Sequence, residues 1–374
     1  MTEEIVVSNL PRNHLVEFGG LPVLDAVPSR GSRDLRENAA AALERLGAPV
    51  PDGLVPGEEA DAARLRAALA DPGSVAWWLP LVSWADGGFR HADDHLRELA
   101  EKRGGDVTAL VLGGTFDHWR VEEDARRPIT EARPQIFVGP AGDPYVRDDN
   151  VVLADAVAAM TRRAGDFPNL RALFVGEIDD SQRFACAEVD AGPLLEALPG
   201  LAEAVLCAQF ALRFRLPEHA GLRRLAFHGV LLEDGIRGVA ACRLPALEHL
   251  EMWSGEDFGD ARDPGERAAF DALFHSDAMP RLRHLGLREF TFVGDMLQQL
   301  AGSPLLPRLE SLDLSRGVLT DEGARVLLDA GAFRGLARLD LRHHHLTDET
   351  AERVRAAFTE AGVEVDVRHG RRRR

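Results

Sequence analysis

The C-terminal half of the sequence places polar and aromatic side chains at regular positions between leucines. Copies of the pattern L-x-x-L-x-L, with Phe or Met in two final positions, begin at Leu222, Leu247, Leu282, Leu309 and Leu336. Alternation with period two predicts a short strand, so the residues between the leucines share the opposite face. Tryptophan and arginine among charges are typical of protein-binding hot spots. We therefore predict a partner-binding surface at Arg224, His228, His249, Glu251, Trp253, His284, Arg288, Asp313, Asp340 and Arg342.

Two histidine-rich segments have ligand types that a metal could use. His343–His345 are adjacent in sequence, and adjacent residues on a strand or turn point in different directions, so they cannot converge on one ion. His91 and His95 have the helical spacing of zinc hydrolases, but the segment reads HADDH and lacks the catalytic glutamate of that motif. We therefore predict no metal site, with His343–His345 in a structural turn.

Motifs for the common catalytic and nucleotide sites are absent from the sequence. It contains no G-x-G-x-x-G loop, no G-K-[ST] loop and no G-x-S-x-G nucleophile elbow, and its one lysine is Lys102. We therefore predict no catalytic residue and no cofactor, and we expect that the protein is not an enzyme.

Each leucine-rich segment is followed by a predicted helix. The segments beginning at Leu309 and Leu336 are 27 residues apart and share L-x-x-L-D-L-x-x-x-x-L-T-D-E. Thr320 and Thr347 are good N-caps for the helices that follow, and Gly331 and Gly362 stand where a C-cap glycine is expected. One strand and one helix cannot close a core alone, so we expect neighbouring repeats to stack.

These repeats resemble the leucine-rich-repeat family, most closely its ribonuclease-inhibitor-like subclass. The resemblance covers roughly residues 105–367 and implies an α/β solenoid, an arc or horseshoe with an inner parallel β-sheet and outer helices. The family usually has Asn or Cys three residues after the third leucine, where its side chain bonds to the turn backbone. This sequence departs from that pattern, and the corresponding positions hold Val230, Gly255, Phe290, Gly317 and His344.

The remaining segments frame the repeats. We interpret residues 1–104 as an α/β N-terminal cap, with a strand–turn–strand at Leu15–Val23, helices at 33–46, 58–70 and 92–102, and one buried strand at Val75–Trp84. An insertion at about 117–150 is rich in Pro, Gly and charge. Residues 368–374 form a basic tail that we expect to be disordered.

The segment EFGGLPV, at Glu17–Val23, is similar to the opening of an uncharacterised bacterial family of cytoplasmic leucine-rich-repeat proteins common in actinobacteria. That resemblance implies a gene neighbourhood with radical-SAM and other modifying enzymes. It raises an alternative function, an accessory or substrate-presenting subunit of a peptide-modifying enzyme system.

Composition and charge limit the classes of partner. Acidic residues outnumber Lys and Arg by 61 to 44, giving a formal net charge of −17. Such a chain is repelled by nucleic acid and anionic membranes and is attracted to basic partners. The longest apolar run is interrupted by Pro80, no leader-like segment precedes it, and three cysteines fit a reducing compartment. The sequence therefore predicts a cytoplasmic, non-enzymatic scaffold that binds a protein or peptide of basic character on the inner sheet, with no nucleic-acid or membrane partner.

Overall fold

The computed structural model describes residues 15, 17–25, 67–68, 70–85, 88–113, 135–138, 144–147, 149–177, 189–207, 212–229, 231, 233–254, 264–329 and 331–369. The chain divides into two compact units, Met1–Val189 and Asp190–Arg374. The boundary predicted at residue 104 falls inside the first unit.

The first unit is built on parallel strands with helices between them. Its strands are β1 (Glu17–Phe18), β2 (Leu21–Asp25), β3 (Ala76–Pro80), β4 (Val82–Ala85), β5 (Gly88–His91), β6 (Ala109–Gly113), β7 (Gln135–Val138), β8 (Pro144–Arg147) and β9 (Ala172–Glu177). Its helices are α1 (Ala92–Arg103) and α2 (Asp149–Arg162), with 3-10 turns at Pro72–Ser74, Gly104–Asp106 and Ala164–Asp166. Strands β2, β3, β6 and β9 are parallel neighbours, and β1 pairs antiparallel with β2.

The predicted strand at Val75–Trp84 is wrong in its extent. The structure has two strands, β3 and β4, and β4 leaves the parallel sheet to pair antiparallel with β5. The break follows Pro80, which has no backbone N–H for a sheet hydrogen bond. Strand β3 is buried on both faces, with Trp77 and Trp78 in the core. The strand–turn–strand predicted at Leu15–Val23 is present but spans residues 17–25, and the predicted helix at 92–102 is confirmed as Ala92–Arg103.

Parts of the predicted cap, insertion and tail lie outside the described residues. These parts include the predicted helix at 33–46, most of the helix at 58–70, most of the 117–150 insertion and residues 370–374. Within the insertion, β7 and β8 form an antiparallel hairpin, and α2 begins at Asp149.

The second unit repeats strand and helix along the chain. Its strands are β11 (Glu203–Cys207), β12 (Leu212–Arg213), β13 (Arg224–His228), β14 (His249–Trp253), β15 (His284–Arg288), β16 (Ser311–Asp313), β17 (Arg338–Asp340) and β18 (Glu364–Asp366), with β10 (Val189–Asp190) at the boundary between the units. Its helices are α3 (Gly192–Ala197), α4 (Glu233–Ala241), α5 (Pro264–Phe274), α6 (Val293–Ala301), α7 (Asp321–Asp329) and α8 (Asp348–Glu360), with 3-10 turns at Leu306–Arg308 and Gly331–Gly335.

The leucine pattern fixes the register of this sheet. Strands β11, β13, β14, β15, β16, β17 and β18 lie side by side in that order and are all parallel. Leu225, Leu250, Leu285, Leu312 and Leu339 occupy equivalent positions on consecutive strands and are buried. The predicted α/β class with a parallel sheet is therefore confirmed.

A hydrogen-bond ladder continues beyond the carboxyl ends of the strands. The backbone N–H groups of Gly229, Ser254, Glu289, Arg316 and His343 each donate to a carbonyl one repeat further along, at distances of 2.7 to 3.2 Å. Four of these five residues have a left-handed backbone, with φ of 121° at Gly229, 61° at Glu289, 63° at Arg316 and 62° at His343. The left-handed conformation turns the chain away from the sheet towards the next helix.

The side chain of His344 joins the turn after β17 to the segment that follows β18. The His344 ring is buried, and its Nε2 donates to Val367 O at 2.9 Å while its Nδ1 accepts from Leu346 N at 3.1 Å. The turn predicted at His343–His345 is present in the structure at Arg342–His343, and the His344 imidazole bonds the backbone of the residues that follow it.

The helix caps are confirmed in part. The Thr347 hydroxyl accepts from Thr350 N at 3.3 Å, and the Thr320 hydroxyl accepts from Gly323 N at 3.4 Å. Gly362 has φ of 81° directly after the C-cap of α8. The C-cap role of Gly331 is wrong, because Gly331 has no positive φ and begins a 3-10 turn instead. No helix in the described part of the chain combines the length and apolar character needed to cross a membrane.

Candidate functional site

Strand register in the second unit places the predicted site residues, together with Gly286, Ser311 and Arg338, in three columns on one face of the sheet. The first column holds Arg224, His249, His284, Ser311 and Arg338; the second holds Glu251, Gly286, Asp313 and Asp340; the third holds His228, Trp253 and Arg288. Arg342 follows the end of β17 by two residues. The structure thus brings all ten predicted residues onto neighbouring strands or the turn that follows, while their role in binding stays a prediction.

Trp253 lies in a stack that spans three strands. The ring centroids of His228 and Trp253 are 4.7 Å apart, and Arg288 Cζ lies 3.9 Å from the centroid of the Trp253 ring. His228 and Arg288 extend from β13 and β15, the strands on either side of β14, and the Arg288 contact is of the cation–π type. The contacts with His228 and Arg288 hold the half-buried Trp253 side chain in one orientation.

Glu251 holds this stack together. Its Oε1 accepts hydrogen bonds from Trp253 Nε1 and from Arg288 Nη1, the latter at 3.1 Å, and its Oε2 lies 3.3 Å from His249 Nε2. We call Glu251, His228, Trp253 and Arg288 the Trp253 cluster. Burial acts to raise the pKa of Glu251, but the hydrogen bond from His249 and the charge of Arg288 outweigh it and hold the pKa below its usual range. The carboxylate is therefore ionised and fully engaged.

His228 and Arg288 are both removed from solvent in part. Burial lowers the pKa of His228 to about 4, so its imidazole is neutral at pH 7. Arg288 is 8% exposed and also has its Nε 3.7 Å from Asp313 Oδ2. Burial raises the pKa of Asp313, an effect that the charge of Arg288 opposes. Arg288 is thus an internal cation between two carboxylates, and little of it is left for a partner.

Asp340 and Arg342 form a closed pair. Arg342 donates to Asp340 through its backbone N at 3.0 Å and through Nε at 2.8 Å, and its Nη2 lies 2.7 Å from the same carboxylate. This hydrogen-bonded ion pair raises the pKa of Arg342 above its usual value. The same turn recurs one repeat earlier, where Ser315 N donates to Asp313 Oδ1 at 2.8 Å. These aspartates cap the strand ends, a structural use of two residues that the sequence predicted as partner contacts.

The first column keeps more of its polar groups accessible. Arg224 and Arg338 are exposed, and His249, His284 and Ser311 are half-buried between them. His284 Nδ1 lies 2.7 Å from Ser311 Oγ, and the rings of His249 and His284 have centroids 5.8 Å apart. Burial, followed by the charge of His249, lowers the pKa of His284. Ser311 and Arg338 were not among the ten predicted residues, although the leucine spacing places them in the same column.

The Ser311–His284 contact has two members of a nucleophile–base arrangement. A catalytic serine of this kind also needs a group that orients the histidine and donors that stabilise an oxyanion. In the described part of the chain, no carboxylate lies within 4.0 Å of a His284 ring nitrogen. The contact is therefore best described as a cross-strand hydrogen bond.

The other histidines and the cysteines have structural surroundings. His95 is 1% exposed, and burial lowers its pKa to about 4, while His91 N donates to Asp94 Oδ2 at 3.2 Å at the start of α1. Across the ranges that the structure describes, no three His, Cys, Asp or Glu side chains are grouped so as to hold a metal ion. Cys242 is a free thiol, and burial raises its pKa to about 11.

The first unit contains two polar features that the sequence did not predict. Glu177 is buried and accepts hydrogen bonds from Trp78 Nε1 and from Leu15 N, the latter at 2.7 Å. A cavity of about 550 Å³ opens before the first residues of β3, β6 and β9, lined in part by Asp71, Asp106 and Arg171. The hydrogen bond from Trp78 to Glu177 joins residues 99 apart in sequence, and the cavity depends on the geometry of loops. The spacing of residues in the sequence predicts neither feature.

Comparisons with known proteins show the fold and no more. No protein-family model matches the sequence, and no curated protein matches it. A crystal structure of a protein from Bacteroides fragilis, solved by the Northeast Structural Genomics Consortium, is similar with a TM-score of 0.60 and 22% sequence identity. The match covers 83% of this chain and 82% of that one. It supports the α/β architecture with many parallel strands.

Proposed function

We propose that this protein is a non-enzymatic scaffold that binds a protein or peptide on the polar face of the parallel sheet in its second unit. The observation that carries the proposal is the Trp253 cluster. An aromatic side chain fixed by a stacked cation and a half-buried carboxylate has little conformational entropy to lose on binding. A fixed, half-exposed tryptophan edge among polar groups has the composition of a binding anchor.

The proposal includes a leucine-rich-repeat solenoid as the scaffold. Three features support it, namely successive parallel strands in sequence order, buried leucines at equivalent positions, and the turn ladder that ends at His343. Repeat proteins of this class use the exposed face of their strands as the working surface. The free thiol of Cys242 fits a cytoplasmic location, which is part of the same proposal.

The test selects peptides on the purified protein and then measures their affinity for variants. A displayed random-peptide library is selected against the full chain, and the affinity of recovered peptides is measured by fluorescence anisotropy. Trp253→Ala should weaken binding by about thirtyfold or more, the loss typical of a hot-spot residue. Arg353→Ala, an exposed change on helix α8, is the control and should leave affinity unchanged.

Two results would contradict the proposal. Recovery of no specific peptide would count against a binding surface, and recovered peptides that bind wild type and Trp253→Ala equally would place their site elsewhere. Circular dichroism on each variant shows whether a loss of binding accompanies a loss of fold.

A further inference from the structure

The first column of the polar face has balanced charges along its length. It continues in register from Arg224 to Glu203 on β11 and from Arg338 to Glu364 on β18. Arg224 Nε lies 3.5 Å from Glu203 Oε1, and Arg338 is the direct cross-strand neighbour of Glu364. The column therefore has one glutamate for each arginine and favours neither acidic nor basic ligands.

The charged groups of the second and third columns are engaged with each other. Arg288 lies between two carboxylates, and Arg342 forms a closed pair with Asp340. The pattern continues after β18, where Arg368 Nη2 lies 2.6 Å from Asp366 Oδ2. On this part of the face the charges are therefore already paired before any partner binds.

The centre of the first column has spare hydrogen-bonding capacity on uncharged groups. His284 and Ser311 share one hydrogen bond, and whichever of them donates it, the other keeps a donor for a ligand, either Ser311 O–H or His284 Nε2–H. Burial lowers the pKa of His284, so its ring is uncharged at pH 7.5. Both side chains are half-buried, so a ligand that bonds them also contacts the sheet around them.

We propose that the polar face binds a peptide segment of uncharged polar residues and discriminates against segments of either charge. This inference rests on the proposed function and names the partner's chemistry. Backbone amides and the amide or hydroxyl side chains of the segment bond His284 and Ser311, and no ion pair of the face has to be broken.

The discrimination follows from the cost of removing charges from water. A charged ligand group loses strong hydration on binding, and an opposite charge with free hydrogen-bonding capacity is needed to compensate for it. On the polar face an incoming carboxylate meets an arginine that already has a carboxylate, as Arg224 has Glu203. An incoming ammonium group meets the same situation with the signs reversed. Amides and hydroxyls cost less to desolvate, so the paired charges select for them.

The whole-chain charge of −17 acts in a different sense, because it attracts basic ligands at long range. That attraction is screened over about 8 Å at physiological ionic strength, whereas contacts in the complex depend on the nearest groups, which are paired. Affinity for an uncharged segment should therefore change less than about twofold between about 0.05 M and 0.5 M NaCl. Binding driven by the whole-chain charge would weaken several-fold over the same range.

The first experiment selects peptides from a displayed random library on the full chain and determines the composition of those recovered. Asp, Glu, Lys and Arg should be depleted relative to the library, and Asn, Gln, Ser and Thr should be enriched. Fluorescence anisotropy of labelled recovered peptides then measures how their affinity depends on salt.

The second experiment breaks one ion pair of the polar face from either side. Glu203→Gln leaves Arg224 without its carboxylate and should enrich Asp and Glu in a new selection, whereas Arg224→Gln leaves Glu203 without its cation and should enrich Lys and Arg. The charged peptides so recovered should bind the variant about threefold or more tighter than the wild type, as expected for one exposed ion pair. The double variant Glu203→Gln/Arg224→Gln should again select uncharged peptides.

The matched controls alter an ion pair on helix α8, away from the sheet. Glu352→Gln and Arg355→Gln change the net charge by the same amounts as the two single variants and should leave the selected composition unchanged. Circular dichroism shows whether each variant keeps its fold.

Two outcomes would overturn the inference. They are enrichment of acidic or basic residues by the wild type, and single variants of the Glu203–Arg224 pair that select the same peptides as the wild type. Charged peptides whose binding depends on Trp253 would refute this inference and leave the proposed function standing, whereas recovery of no specific peptide would count against both.

Discussion

At the scale of single residues, the left-handed backbone at Glu289, Arg316 and His343 is unusual for residues with a Cβ. Such a conformation costs an L-residue about 1–2 kcal/mol relative to the right-handed one. The three residues are spaced by 27 positions and each donates its N–H to the next repeat, so the ladder enforces the conformation. The side chains themselves do not require it.

This strain predicts opposite effects of glycine at two nearby exposed histidines. His343→Gly should leave the free energy of unfolding unchanged or raise it by up to about 1 kcal/mol, because glycine adopts the left-handed conformation freely. His345→Gly has no positive φ to relieve and should lower the free energy of unfolding by about 0.5–1 kcal/mol. Urea unfolding measures both, and equal effects would contradict the strain argument.

The polar face of the second unit also shows which side-chain contacts cannot be predicted from sequence. Leucine spacing assigned Trp253, Glu251 and Arg288 to one face, because burial of alternate residues fixes which side each occupies. It could not show that Arg288 covers the indole or that Arg342 pairs with Asp340, because both contacts depend on rotamers and cross-strand neighbours. Five of the predicted charged residues, Glu251, Arg288, Asp313, Asp340 and Arg342, consequently make contacts inside the chain.

At the scale of the element, the turn after β17 depends on one imidazole. His344 joins Val367 O and Leu346 N, so it ties the turn to the segment after β18. The sequence shows that the Asn or Cys found at this position in the family that the repeats resemble is missing here. It does not show that His344 makes bonds to the turn in its place. Asn, Cys and His are chemically different, and their shared capacity to bond a buried turn became visible only with the backbone in place.

Removal of the His344 imidazole should lower the free energy of unfolding. His344→Ala leaves a buried carbonyl and a buried N–H without their partner and should lower the free energy of unfolding by about 2–4 kcal/mol. His344→Asn restores one or both bonds and should recover at least half of the loss. Urea unfolding of the two variants tests this, and equal losses would show that the hydrogen bonds contribute little.

Strand ends show a similar limit to sequence prediction. The break after Pro80 follows from proline chemistry and could have been inferred, whereas the pairing of β4 with β5 required a partner strand that no repeat pattern marks. The parallel pairing of β3 with β6 was missed for the same reason, since β3 is apolar on both faces and lacks the alternating leucines.

At the scale of the whole molecule, buried neutral histidines make stability depend on pH. Burial lowers the pKa of His95 to about 4, and burial also lowers the pKa of His219 and His344. An unfolded histidine has a pKa near 6.5. Between these values the unfolded chain binds more protons than the folded chain, so the free energy of unfolding falls as pH falls from about 6.5 towards 4.

The contribution of His95 can be isolated from the slope of the free energy of unfolding against pH. A pKa lowered from 6.5 to about 4 corresponds to about 3 kcal/mol of stability lost between pH 7 and pH 4. His95→Leu should remove that part of the pH dependence, and His275→Leu, an exposed histidine on the second unit, should leave it intact. The comparison uses urea unfolding at pH 7, 6, 5 and 4, and equal slopes in the two variants would contradict the prediction.

The turn ladder has a consequence for the history of the chain. Leu285, Leu312 and Leu339 follow one another at intervals of 27 residues, and Glu289, Arg316 and His343 follow at the same interval with nearly identical φ. A genetic crossover that joins any of these positions to its equivalent adds or removes one whole repeat and preserves the local backbone at the junction. This part of the protein can therefore lengthen or shorten by duplication and deletion, while the polar columns gain or lose one row at a time.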